Sequence, residues 1–213
     1  MALKPSVVVP ATTAIVINEF QRGVVGDLSA MPQVAASAQA PLRTLARLLD
    51  VARPAGVAVA HCVIARRPDG RGGNVNTSFG AAAAKRRAAG ELPPEDPAFA
   101  EVVPELGPAP SDFVLPRLHG MSPMTDTGLD SLLRNLGVRT VVAAGASLNV
   151  GIIALANDAM NRGYFVVVPG DACSASPPEY GEAMLRHTFP IISRVTTCAE
   201  LESVWSAGAE AVS

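Results

Sequence analysis

The chain has 213 residues, a length that suits one sizeable domain, and it is 49% hydrophobic but only 4% aromatic. Aliphatic side chains and alanine must therefore fill its core. The net charge is −2, so the sequence offers no general electrostatic attraction to nucleic acid or to an anionic membrane surface, and neither is expected as a partner.

The amino-terminal segment indicates neither a signal peptide nor a transmembrane span. Pro5 and Pro10 interrupt its apolar stretch, and no clear small-residue cleavage site follows. The cysteines, Cys62, Cys173 and Cys198, are odd in number and show no CxxC spacing. Reduced, mostly buried thiols of a cytoplasmic protein are therefore expected, rather than a disulfide framework or a metal site.

Short apolar runs alternate with longer helical patterns along the chain, beginning with TAIVIN at residues 13–18. Such alternation predicts parallel strand–helix–strand units, with helices on both faces of one sheet. In chain order, the predicted strands are residues 13–18, 57–64, 139–144, 164–168 and 194–197, and the predicted helices are residues 36–53, 127–136, 149–162, 178–191 and 199–206.

A long insert, residues 66–112, follows the second predicted strand. It contains several glycines, the helical pattern AAAAKRRAA and a proline-rich run. It is too long for a plain connection, so it is expected to cover the site or to build an oligomer contact. The basic run at residues 85–87 within it is interpreted as a solvated helix face. With no internal repeat, residues 1–213 are interpreted as one domain.

Parallel α/β sheets place their sites at the carboxyl ends of the strands. That rule selects the positions after Ile17, around His61, before Ser122 and at residues 145–151. No GxGxxG motif follows the first strand, which argues against a dinucleotide. An Asp-x-His spacing, which would supply two ligands of a metal site, is also absent from the sequence. Neither a cofactor nor a metal is expected.

Three segments resemble the isochorismatase-like hydrolases, also called the cysteine hydrolase superfamily. The first is TAIVINEFQRGVVGD, in which Glu19, Phe20 and Gln21 stand where the family has Asp-Met-Gln. The others are RLHGMSPMTDTGLDSLLRNLGVRTVVAAG and the most specific one, GASLNVGIIALANDAMNRGYFVVVPGDAC. The resemblance covers most of the chain. It implies an α/β fold: a single doubly wound domain with a mostly parallel six-stranded sheet.

The resemblance also implies a catalytic triad of Asp, Lys and Cys, and the chain departs from it at all three positions. Glu19 stands in the place of the Asp. The Lys position falls on Leu118, which Arg117 and His119 flank. Gly151 stands in the place of the Cys, at a helix start that would lower the pKa of a thiol. The sequence therefore predicts a member without the nucleophilic Cys.

Glu19, Arg117 and His119 are the predicted catalytic residues. Glu19 follows a fully apolar strand, where desolvation raises a carboxyl pKa, and this favours a general acid/base. Arg117 is either a surface charge or an anion-binding group, because a guanidinium cannot shuttle protons at neutral pH. His119 is either a loop histidine or a group at the mouth of the site. The predicted substrate-binding residues are Phe20, Gln21, His61, Ala146, Ser147, Leu148 and Gly151, although His61 also fits a satisfied core histidine.

Gly151 leaves two functions open. The isochorismatases proper resemble this family, have Gly at the Cys place, and cleave a vinyl ether by protonation and addition of water. By that analogy the chain is a thiol-independent hydrolase of a small metabolite, with Glu19 as general acid/base and backbone donors of residues 146–151 as the polarising group. The alternative is a catalytically degenerate pseudoenzyme or small-molecule-binding protein. The family resemblance implies a homodimer or homotetramer.

Overall fold

The computed structural model describes residues 3–92, 96–125 and 127–210. Its strands are β1 (Thr13–Asn18), β2 (Ala58–Ile64), β3 (Phe113–Arg117), β4 (Thr140–Gly145), β5 (Phe165–Pro169) and β6 (Arg194–Thr196). They form one sheet in the order β3-β2-β1-β4-β5-β6, and every pairing is parallel. This is the doubly wound order, so the predicted fold class is confirmed.

The helices of the described residues are α1 (Pro32–Ala52), α2 (Ser78–Ala88), α3 (Leu129–Asn135), α4 (Ile153–Asn161), α5 (Pro178–His187), α6 (Phe189–Ile192) and α7 (Cys198–Glu210). A π-helical turn, Leu148–Ile152, leads into α4. No helix among the described residues combines the length and the apolar character needed to cross a membrane.

Alternation along β1 divides the core between the two faces of the sheet. Ile15 and Ile17 belong to the cluster formed with α1 and α7, whereas Ala14 and Val16 belong to the cluster formed with α3, α4, α5 and α6. All four side chains are buried, as expected for a strand in a sheet covered on both faces. The order of layers is therefore helix, sheet, helix.

Two predicted helices and one strand that was not predicted differ from expectation in ways that proline explains. Helix α1 begins at Pro32 and continues through Pro41, which removes one backbone hydrogen bond without ending the helix. The predicted helix at 178–191 is divided into α5 and α6, and Pro190 lies in the first turn of α6. Strand β3 was not among the predicted strands. It contains Pro116, and it tolerates a proline because it lies at the edge of the sheet.

The strand register brings the carboxyl ends of four strands to one edge of the sheet. Asn18 lies opposite both Cys62 and Gly145, and Ile64 lies opposite Arg117. The carboxyl ends of β1, β2, β3 and β4 therefore meet there, and the doubly wound order changes direction between β1 and β4. Ligands of such sheets bind at this edge.

Candidate active site

Glu19 is the first residue after β1. Its backbone has a φ of 55°, in the left-handed region that residues other than glycine rarely adopt, and such a conformation costs about 1–3 kcal/mol. The N–H of Glu19 donates to the carbonyl of Cys62 at 2.8 Å, so the backbone stays tied to β2. Backbone strain of this kind is concentrated at functional sites.

Arg117, the last residue of β3, binds Glu19 from across the end of β2. Its Nη2 donates to Oε1 of Glu19 and to the carbonyl of Met121 at 3.4 Å, and its Nε donates to the carbonyl of Gly120 at 3.3 Å. The side chain of Arg117 is 2% exposed, while that of Glu19 is 20% exposed. The guanidinium is therefore buried behind a carboxylate that stays accessible.

Two opposing effects set the pKa of Glu19. Burial raises the pKa, because it penalises the charged form of the carboxyl group, and this effect is the largest. The charge and the hydrogen bond of Arg117 oppose the rise, as do the amide of Asn18 and the charge of Arg66. The net direction is upward, so Glu19 is a carboxyl group that remains paired with a cation and yet holds a proton more readily than an exposed glutamate.

A cavity of about 180 Å³ opens beside Glu19. Its walls are formed by the end of β2 and the loop after it, by part of the glycine-rich stretch 70–75, by α2 and by residues near 118–121. The insert therefore supplies most of the wall. Gly80 allows this arrangement, because a Cβ there would lie 1.8 Å from the carbonyl oxygen of Asn74.

Four arginines and one carboxylate give the cavity its charge. Among the described residues that line it, Glu19 is the only acidic one. Arg67 forms an ion pair with Asp69 at 2.8 Å, and the guanidinium carbon of Arg66 lies 4.1 Å from the centroid of the Phe99 ring. An anionic ligand is favoured by such a lining. The lining arginines are Arg66, Arg67, Arg71 and Arg87.

The space over Gly151 is occupied by Asn18. A Cβ on Gly151 would lie 2.1 Å from Nδ2 of Asn18 and 2.8 Å from the carbonyl oxygen of Ala146. Such contacts are too short for real atoms, so the backbone of this turn tolerates glycine and little else. Asn18 is itself fully buried. The structure thus shows that the missing side chain at Gly151 has left no open space.

The predicted polarising turn is not brought to the cavity. Ala146 and Leu148 are each 2% exposed and belong to the two core clusters, and Gly151 is also buried. Ser147 is half-buried, and its carbonyl accepts the N–H groups of Val150 and Ile152. None of the four predicted substrate-binding residues of this turn lines the cavity as described.

Phe20 and Gln21, predicted to bind substrate, are structural in this arrangement. Phe20 is 2% exposed and belongs to the core. Gln21 is fully buried: its amide donates to the carbonyls of Ile64 at 2.9 Å and Phe99 at 2.8 Å, and it accepts the N–H of Ile64 at 2.7 Å. Gln21 therefore ties the segment that follows Glu19 to β2 and to the insert. It lies outside the described cavity lining.

His61 and His119 also lie away from the cavity lining. His61 is 1% exposed, and its Nε2 lies 3.1 Å from Asp112, which also forms an ion pair with Arg53 at 2.7 Å. Burial lowers the pKa of His61, although Asp112 opposes this. The core-histidine alternative is therefore the one that the geometry favours. His119 is exposed, and its catalytic role stays a prediction.

The sequence reasoning overlooked the residues of the insert that face Glu19. Arg66 and Arg67 lie two and three residues after the end of β2, so the carboxyl-end rule could have selected them. The basic run at residues 85–87 is interpreted above as a solvated helix face; Lys85 and Arg86 are exposed, as this interpretation expects, whereas Arg87 is half-buried and also lines the cavity. No local sequence pattern indicated the role of Asn18, because that role depends on its contact with Gly151, which is distant in the chain.

The three thiols are buried, and none of them belongs to the described lining. Burial raises the pKa of Cys62 to about 12. Burial also raises the pKa values of Cys173 and Cys198 far above the ordinary value. A thiol that holds its proton in this way is a poor nucleophile.

Comparison with known proteins identifies relatives over most of the chain. The sequence model of the isochorismatase domain matches residues 13–200. The chain is 34% identical over 118 residues to the isochorismatase family protein YecD of Escherichia coli O157:H7, covering 51% of this chain and 62% of that protein. It is 37% identical over 106 residues to ureidoacrylate amidohydrolase RutB of Methylorubrum extorquens, covering 49% of this chain and 42% of that protein. The alignments thus span less than two thirds of either relative.

The solved structures agree with these sequence relatives. The structure of an isochorismatase family protein from Desulfovibrio vulgaris is similar to this chain with a TM-score of 0.76 and 29% sequence identity. The similarity covers 92% of this chain and 98% of that one. The similarity in fold therefore extends over nearly the whole of both chains.

Proposed function

Because the chain belongs to the isochorismatase family, we propose that it hydrolyses a small metabolite without a thiol nucleophile, with Glu19 as general acid/base. The observation that carries the proposal is the position of Glu19, a carboxylate with a raised pKa that is paired with Arg117 and opens onto a cavity. The filled space at Gly151 and the burial of all three cysteines support chemistry in which no sulfur takes part.

The proposed reaction needs one proton to be moved twice. For an amide or a ureido acid, Glu19 takes a proton from water as the water oxygen bonds to the carbonyl carbon, and the carboxyl group then donates that proton to the leaving nitrogen as its bond to carbon breaks. For a vinyl ether the order is reversed: the carboxyl group first protonates the double-bond carbon, then takes a proton back from the water that adds, and the resulting hemiketal releases the alcohol. Arg117 stabilises the carboxylate before and after these steps. It transfers no proton, because its guanidinium stays charged at neutral pH.

The proposed substrate carries an acidic group. Arginine binds carboxylates and phosphates through several donors at once, and four arginines line the cavity. A related protein is a ureidoacrylate amidohydrolase by name, and a ureido acid combines a hydrolysable bond with such an anionic group. The similarity covers only part of both chains, so the substrate is an inference from the lining of the cavity.

We further propose that the protein works in the cytoplasm as a homodimer or homotetramer. The three cysteines are all unpaired, which suits a reducing compartment. Helix α2 has no buried residue, and Phe79 on it is 64% exposed. A second subunit packed on this helix would remove that apolar surface from water and support the wall of the cavity.

A binding protein without catalysis is the second candidate. Arg117 cannot replace a lysine that exchanges protons, and the turn at residues 146–151 does not line the described cavity. Such a protein would bind the same anionic compounds and release them unchanged.

A substrate panel distinguishes the two candidates. Purified protein is incubated with ureido acids, acidic amides and vinyl ethers, and product formation is compared with that of Glu19→Gln. The hydrolase proposal expects turnover in the native protein and its loss in the variant. Binding of an acidic compound by calorimetry, with no product above the level of the variant, would support the binding protein instead.

A further inference from the structure

Asn18 binds both backbone polar groups of one residue, Ala146, in the turn after β4. The backbone carbonyl of Asn18 accepts the N–H of Ala146 at 2.8 Å, and its side-chain Nδ2 donates to the carbonyl of Ala146 at 2.6 Å. The second bond fixes the orientation of the carboxamide, because a carbonyl oxygen accepts a hydrogen bond from nitrogen and not from Oδ1. The end of β1 and the turn are therefore held in one relative position.

Two glycines make room for this residue. Gly145 has a φ of 114°, and a Cβ there would lie 2.2 Å from the carbonyl oxygen of Asn18. Gly151 accommodates the side chain in the same way, since its Cβ would lie 2.1 Å from Nδ2. Asn18 and a side chain at position 151 therefore exclude each other sterically.

The carboxamide also has an unpaired acceptor. Oδ1 of Asn18 is buried and has no hydrogen-bond partner among the described residues, an arrangement that reduces stability. An apolar residue of similar size would fill this space without that cost. Asparagine at this position is therefore better explained by what its amide group does for its neighbours than by packing.

We infer that Asn18 is a positioning residue: its carboxamide takes the space of a nucleophile's side chain over Gly151 and fixes the turn at Ala146 against the end of β1. The catalytic significance of this inference rests on the proposed function, whereas the steric contact between Asn18 and Gly151 does not depend on it. Asn18 is the direct neighbour of Glu19 in the chain, and its amide favours the charged form of that carboxyl group. The residue thus excludes a side chain at position 151, and an effect of its amide on the ionisation of Glu19 is a prediction that follows from their adjacency in the chain.

The steric part is tested by thermal unfolding of four proteins: the native chain, Gly151→Ala, Asn18→Ala and the double variant. Gly151→Ala is expected to lower the Tm by about 5 °C or more, the shift that an overpacked core produces in a domain of this size. In the Asn18→Ala background the same alanine should lower the Tm by less than half as much. Asn18→Ser replaces Asn18→Ala if the latter does not accumulate as folded protein.

The electrostatic part is tested by NMR titration of the Glu19 carboxyl carbon in the native chain and in the Asn18 variant. Loss of the amide donor is expected to move the Glu19 midpoint to higher pH, whereas a purely structural role would leave it in place. Equal Tm losses from Gly151→Ala in both backgrounds, together with an unchanged Glu19 midpoint, would overturn the inference. Neither measurement uses a substrate, so the inference and the proposed hydrolase function can fail separately.

Discussion

The guanidinium of Arg117 at the end of β3 donates to the carboxylate of Glu19 at the end of β1, across the end of the strand between them. The pair joins two strands that share no hydrogen bonds. Glu19 is also the one charged group of the described cavity lining that is not a guanidinium, and burial raises its pKa above the ordinary value. Any proton transferred by a side chain of that lining must therefore pass through Glu19.

Glu19→Gln tests this relationship directly. The amide has the size of the carboxyl group and can accept a hydrogen bond from Arg117, so we expect a folded protein that binds substrate with little change. Turnover should fall by about two to four orders of magnitude, the usual contribution of a positioned acid–base group. Steady-state kinetics on the substrate found by the panel measure this loss, and an unchanged kcat would mean that Glu19 only forms the wall.

Arg117→Gln should change both stability and the pH profile. Loss of one partner from a buried ion pair costs about 3 kcal/mol in the free energy of unfolding, measured by urea unfolding. Arg117 lowers the pKa of Glu19, so its removal should move the limb of the pH–rate profile that belongs to Glu19 towards higher pH. Arg22→Gln is the matched control, because Arg22 forms exposed ion pairs with Asp27 and Glu101. A similar stability loss in both variants would contradict the special role of Arg117.

The fold and the acid could be predicted from the sequence because both depend on local pattern. The run TAIVIN is long enough to identify a buried strand, and the carboxyl-end rule then selects Glu19. The partner of Glu19 was harder to identify, since Arg117 and Leu118 are neighbours on an edge strand with a proline, and a shift of one residue exchanges the side chains between faces. The structure resolves this, with Arg117 buried and Leu118 40% exposed.

The cavity lining and the role of Asn18 could not be derived in this way. The walls come from an insert whose position over the sheet depends on tertiary contacts, such as the hydrogen bond from the N–H of Gly120 to Oδ1 of Asn74 at 3.0 Å. Asn18 gains its role from Gly151, which approaches it only after the strands pair. Sequence spacing carries no information about such contacts between distant residues. The periodicity of a single strand, in contrast, can be seen in its local sequence.

Alkylating reagents should leave activity intact. Cys62, Cys173 and Cys198 are buried, and burial raises the pKa of each thiol, that of Cys62 to about 12. At neutral pH we therefore expect no incorporation of iodoacetamide into the folded protein by mass spectrometry, and three equivalents after unfolding in urea. Complete inactivation with the fold intact, traced to any one of the three, would show that sulfur takes part in the reaction.

Arg87→Gln should weaken the binding of an acidic substrate, while Arg86→Gln should not. Both residues lie in the last turn of α2, but Arg87 lines the cavity, whereas Arg86 forms an exposed ion pair with Glu91. Loss of a charge-assisted hydrogen bond raises KM by about tenfold or more with little change in kcat. A larger effect of Arg86→Gln than of Arg87→Gln in the same assay would place the anion elsewhere.

The Gly151→Cys variant tests whether a sulfur at position 151 restores or impairs hydrolytic activity. Introduced alone, its Cβ would collide with Asn18, so we expect a lower Tm and slower turnover of the native substrate. Combined with Asn18→Ala, the thiol gains space beside a helix start that favours its ionised form, but position 151 is buried, so we expect iodoacetamide to label it only slowly. The matched control is Asn18→Ala with Gly151→Ala, which fills the same space without sulfur.

We expect neither cysteine variant to hydrolyse simple amides faster than that control. New amidase activity that iodoacetamide abolishes would instead identify a decayed cysteine hydrolase, because it would mean that the site still stabilises a thiol-derived intermediate.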